Sequence, residues 1–87
     1  MKILTKEITC LDDIETFFNE LLENDVNFHP DTDFNEYINL ETLELTFTKF
    51  EALRLNILMN DCFEICEAYA EDIYEIAIKV FKENYEL

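Results

Sequence analysis

Between residues 48 and 69 the apolar positions Leu55, Leu58, Met59, Cys62, Ile65, Cys66 and Tyr69 recur at steps of three and four. That spacing places them along one side of a 3.6-residue helix, which must find a core to cover them. Thr48 opens the pattern with Glu51 three residues on, so that a hydroxyl and a carboxylate can satisfy two of the helix's free amide donors reciprocally. It is the longest helical pattern in the chain, and the rest reads as cover for it.

Upstream, Ile14, Phe17, Phe18, Leu21 and Leu22 follow the i, i+3, i+4, i+7, i+8 rule of a core-facing helix. Thr9 with Asp12, or Asp12 with Glu15, supplies its start, and Asn24-Asp25 its stop. Residues 1–8 alternate weakly and predict an extended arm laying a few side chains on the core. Downstream, Asp72 with Glu75 has the capping spacing again, so the pattern predicts a break near Ala70-Glu71 rather than one bent helix. A third helix then follows, with Ile73, Ile76, Ala77, Val80 and Phe81 buried.

The period fails between residues 26 and 47. Pro30 disfavours helix at His29, Asp31-Thr32-Asp33 can cap a short turn carrying Phe34, Tyr37 and Ile38, and Leu43, Leu45 and Phe47 alternate with polar neighbours as in a half-buried strand. The fold class predicted is mainly α: one compact three-helix domain, with helices near residues 10–24, 49–69 and 73–84. An irregular segment or small β-hairpin joins the first two.

Composition changes this picture in three ways. Apolar residues make up 49% of the 87, enough for one core and far from the signature of disorder. Glycine is absent, which leaves Asn24, Asn39 or Asn60 as the natural left-handed turn positions and excludes phosphate-cradling glycine loops and nucleophile elbows. Twenty-one acidic residues against six basic ones give a formal charge of −15. Such an excess argues against direct nucleic-acid binding, which draws its affinity from Lys and Arg, and calls for either solubility or a cationic partner. No apolar run reaches the roughly 20 residues of a membrane span, no secretory leader pattern is evident, and three cysteines suit a reducing compartment. A cytoplasmic protein without membrane contact is expected.

Few residues suggest chemistry. His29, Asp31 and Asp33 are weak metal candidates, since a third ligand set is lacking; capping of the following turn by the aspartates, with His29 bonded to a nearby carbonyl, is the preferred reading. Cys62 and Cys66 share a helix face but fall inside the apolar stripe, where thiols act as small hydrophobes. No cysteine has a histidine at a telling spacing, and the many carboxylates single out no acid/base pair. An enzyme is not expected, nor a cofactor. Asp61, Glu64, Glu67, Glu71 and Glu75 recur at threes and fours, forming a carboxylate ridge if the second and third helices are nearly collinear.

The run Phe28-His29-Pro30-Asp31-Thr32-Asp33-Phe34-Asn35-Glu36-Tyr37-Ile38-Asn39, with Thr46-Phe47-Thr48 and Asp72-Ile73-Tyr74-Glu75-Ile76, resembles small acidic bacterial proteins of mobile elements. The resemblance implies a compact helical fold and an interaction role. In charge and size the chain is also similar, as a class, to antirestriction and anti-CRISPR DNA mimics. The expected function is therefore an acidic interaction protein that docks on a basic surface, such as that of a nucleic-acid-binding protein. The alternative is a structural or oligomerising helical protein whose charge serves solubility, with Tyr85 and Leu87 as candidates for a homodimer contact.

Overall fold

Phe17 and Phe18 are adjacent, and both are fully buried. Neighbours on a helix point about 100° apart, so the helix carrying them is covered on two sides. This is α1 (Leu11–Glu23) of a computed structural model that describes residues 3–85. It is followed by a short 3₁₀ turn (Phe34–Glu36), α2 (Lys49–Ala68) and α3 (Ile73–Asn84), with no strand among the described residues. The domain is mainly α, as the patterning predicts. α1 packs most extensively on α3 and also meets α2, while the 3₁₀ turn rests on α2.

One core forms between these elements. Ile14, Phe17, Phe18, Leu21 and Leu22 from α1 meet Ala52, Leu55, Leu58, Met59, Cys62 and Cys66 from α2 and Ile73 and Val80 from α3. The Cα radius of gyration, 12.7 Å, is close to the ~12 Å of a compact chain of this length. The central stripe of α2 is buried as expected except at its end, where Tyr69 is the exposed C-cap and Ile65 only half-buried. On α3, Ile76 and Ala77 are half-buried, and Phe81 departs from its expected place by facing water.

The helix starts are only partly those expected. Thr48 and Glu51 form the full reciprocal cap on α2. Asp72 caps α3 by accepting from the amide of Tyr74 (2.8 Å). α1 begins differently: Cys10 is its N-cap without a side-chain cap, and Asp13 instead reaches back to accept from the amide and hydroxyl of Thr9 (2.9 and 2.7 Å). Those two bonds hold the Asp13 carboxyl below its usual pKa.

The segment before α2 folds through aromatic and polar contacts rather than as a strand. Phe34 is fully buried, with Phe47 edge-on at 5.7 Å and Tyr37 at 5.0 Å. Only an isolated bridge joins Ile38 to Leu45, and Leu43 and Leu45 are exposed rather than paired with Phe47 on one face. The alternation fails because Leu43 has φ 61°, which turns the chain at the point where a strand would have to continue. Asn56 of α2 anchors the segment: its Oδ1 accepts from the amide of Phe34 (3.0 Å) and its Nδ2 donates to Asp33 (2.7 Å). The N-terminal arm is similarly pinned, with Ile3 and Ile8 buried. Glu20 of α1 accepts from the amides of Leu4 and Thr5 (2.8 and 3.0 Å), and the Arg54 guanidinium of α2 donates to the carbonyls of Ile3 and Thr5 (3.0 and 2.6 Å).

Glycine's absence is met by other residues than the asparagines expected. Positive φ occurs at Asp25 (61°), Leu43 (61°) and Ala70 (54°), while Asn60 lies inside α2. Both Asp25 and Ala70 sit at the residue after a helix C-cap, where a left-handed residue lets two amides turn back onto the last carbonyls. Asp25 and Val26 donate to Leu22 and Leu21 (3.0 and 2.9 Å); Ala70 and Glu71 donate to Glu67 and Cys66 (3.3 and 2.8 Å). This reversal ends α2 and rules out one bent helix across residues 49–84.

A Cβ in the left-handed region costs roughly 1–2 kcal/mol, and glycine's own entropic penalty is about 0.5–1 kcal/mol. We predict that Ala70→Gly raises stability by about 0.5–1 kcal/mol in urea denaturation. An unchanged or lower midpoint would show that the Ala70 turn carries no strain.

Candidate interaction surface

Of the five ridge carboxylates, Glu64, Glu67, Glu71 and Glu75 are exposed and Asp61 is half-buried. Asp61, Glu64 and Glu67 rise along α2 in steps of about 4.5 Å. The turn at Ala70 then interrupts the row: Glu71 lies in the connection and Glu75 in the first turn of α3. The ridge is therefore a group of three on one helix with two acids past a chain reversal, rather than rungs of one continuous axis. The sequence suggested continuity because the three-and-four spacing runs unbroken through the reversal.

Few of the acids are neutralised within the chain. The one ion pair among the described residues joins Lys79 Nζ of α3 to Glu15 of α1 at 3.1 Å. Glu20, Asp13, Asp33, Glu51 and Asp72 spend their oxygens on backbone amides instead. Among the described residues the ridge acids have neither kind of partner. Between α2 and α3 lies a shallow open hollow of about 500 Å³, bordered by Phe63, Cys66, Glu67, Ala70 and Tyr74.

The group at residues 29–33 is held by local hydrogen bonds. Asp33 accepts from the Asn35 amide (2.8 Å), the Asn35 side chain (3.0 Å) and Asn56 (2.7 Å). The Asn35 amide and the Asn56 side chain hold its carboxyl below the usual range. His29 does not bond a carbonyl as expected; its Nδ1 accepts weakly from the Asp31 amide (3.3 Å), and its ring lies 5.9 Å from that of Tyr74. Tyr74 donates to Asp31, which raises the phenol's pKa. With Asp33 turned to its asparagines, no group of three metal-ligating side chains is assembled among the described residues.

Cys62 and Cys66 are buried free thiols, and Cys10 is half-buried. Desolvation pushes the Cys62 thiol far up, with Cys66 and Asp61 adding to it; desolvation, then Glu71 and Asp72, raises Cys66. Burial of this kind disfavours the thiolate and suits both side chains to packing.

Tyr85 apart, the exposed apolar side chains are what the sequence reading missed. Phe50, Leu53 and Ile57 face water on α2; so do Ile38, Leu40, Leu43 and Leu45 before it, and Tyr74, Ile78, Phe81 and Tyr85 on α3. The signal was available in the spacing of 74, 78, 81 and 85, a second stripe beside the buried one. Leu87 lies outside the described residues. No helix among the described residues is long and apolar enough to cross a membrane. Comparison of the chain with protein-family models, curated proteins and solved structures finds no match.

Three outcomes are expected. Salt should raise the melting temperature, because it screens mutual repulsion among unpaired carboxylates over about 8–10 Å; a flat or falling response would mean that the acids are held by local partners. A thiol reagent at mildly alkaline pH should modify only Cys10 in the folded protein, and Cys62→Ala with Cys66→Ala should cost about 1–3 kcal/mol through lost packing. Stoichiometric zinc in the purified protein would contradict that assignment.

Proposed function

We propose that this protein is a non-enzymatic interaction module that presents an acidic surface to a cationic partner. The observation that carries the reading is the lack of internal neutralisation: with −15 formal charge, the described residues make a single ion pair. Self-repulsion of that size costs stability, and a basic partner removes the cost on docking. Glu64, Glu67 and Glu71 are exposed around the C-terminal end of α2, where a cationic side chain also meets the negative end of the helix dipole. A nucleic-acid-handling protein is the partner class that suits this best, because its working surface is already shaped for anions spaced a few ångströms apart. The steps of about 4.5 Å along α2 bracket that spacing loosely, which favours mimicry of charge density over mimicry of a phosphate register.

The experiment is affinity capture from a cell lysate at low and high salt, followed by challenge of each captured protein with duplex DNA. Reversal of Glu64, Glu67 and Glu71 to Lys should abolish capture, and added duplex DNA should displace the protein from its partner, since complementarity of potential governs such docking. Partners indifferent to salt, to the reversal and to DNA would refute the reading.

A further inference from the structure

α3 is the one helix of the three with no net charge: Glu75 and Glu83 are matched by Lys79 and Lys82, whereas α1 carries five acids and no base. It also bears an apolar stripe that the described residues leave largely open to water, although Tyr74 at its start meets His29 and Asp31. Tyr74, Ile78, Phe81 and Tyr85 are spaced by four, three and four residues, the a/d repeat of a helix-pairing seam, and are 37–54% exposed. Val80 and Ile73, on the adjoining side, fill the core. The rings of Phe81 and Tyr85 already lie together at 4.7 Å.

From this we infer that α3 is a homodimer contact, pairing antiparallel with α3 of a second copy about a two-fold axis. An isologous contact must be complementary to itself, and this stripe meets that demand in one register. With the axis between residues 79 and 80, Tyr74 faces the second copy's Tyr85 and Ile78 faces its Phe81, so that all four residues are covered at once. The same register sets Glu75 across from the second copy's Lys82, twice per dimer. Among the described residues Lys82 makes no ion pair, whereas Lys79 is engaged by Glu15. Parallel pairing would set Glu75 beside Glu75 and Lys82 beside Lys82. A neutral helix is also the one of the three that brings two chains of charge −15 together with the least added repulsion at the contact.

The pairing does not depend on the acidic docking proposed above. α3 is about 18 Å long, and a contact between two such helices is smaller than a standard interface of about 1,600 Å². The association is thus a weak, concentration-dependent one, strengthened by salt.

Sedimentation equilibrium across a dilution series, with circular dichroism as a check on folding, tests it. The intact chain should pass from monomer to dimer mass, and Ile78→Glu with Phe81→Glu should remain monomeric with an unchanged helical spectrum. Glu75→Lys alone, and Lys82→Glu alone, should each weaken dimerisation on the order of three- to tenfold, and the two together should restore it. The restoration holds the test even if the apolar variant fails to fold. A monomer at every concentration, a dimer that survives the folded Ile78→Glu/Phe81→Glu variant, or a double reversal no better than either single one would overturn the inference.

Discussion

A helix in which neighbouring Phe17 and Phe18 are both removed from water cannot lie on one face of a layer, because the two side chains diverge by about 100°. Two separate elements must reach it. α3 supplies one side, while α2 and Phe28, whose ring lies 4.6 Å from that of Phe18, supply further cover. The requirement explains why α2 must end where it does: only a reversal at Ala70 lets the chain return α3 to α1. It also explains why α2, the longest helix, is not the most enclosed. Its side carrying Phe50, Leu53 and Ile57 is left facing water by the described residues.

Hydrophobic burial places the helices, but polar side chains set the irregular parts. Asn56 reads two consecutive residues, Asp33 and Phe34, and holds the 3₁₀ turn to α2. At the opposite end of the pairing between helices, the Asn84 side chain donates to Asn19 (2.5 Å) and ties the end of α3 to α1. Each of these joins residues distant in sequence, and each uses a side chain that sits on the edge of an apolar stripe.

That division accounts for what could be read in advance. The three helices, the Thr48–Glu51 cap and the break before Asp72 follow from local spacing, and local spacing is written in the chain. The region from 38 to 47 was not legible, since its alternation of Leu43, Leu45 and Phe47 is the pattern of a strand while the backbone at Leu43 is left-handed. Nothing about a leucine announces that conformation, and it arises from closing the loop between Asn39 and Glu44, whose backbones bond at 2.8 Å. Four of the five ridge acids are exposed and Asp61 is half-buried, but the row is not continuous, because sequence spacing carries no information on the direction a chain takes after a left-handed turn. The second stripe on α3 was written as plainly as the first; a 3.6-residue helix with apolar residues on two sides has one side too many for a single small core.

The N-terminal arm offers a last consequence. Its amides at Leu4 and Thr5 are held by the carboxylate of Glu20 on α1, and its carbonyls at Ile3 and Thr5 by the guanidinium of Arg54 on α2. Both are charged hydrogen bonds, the stronger kind, and they pull on the same three residues from two helices. In mechanical terms the arm is a tie between α1 and α2. Tension applied to it is shared by Glu20 and Arg54 together, so drawing the two helices apart at this end requires both bonds to yield before either apolar stripe can be exposed.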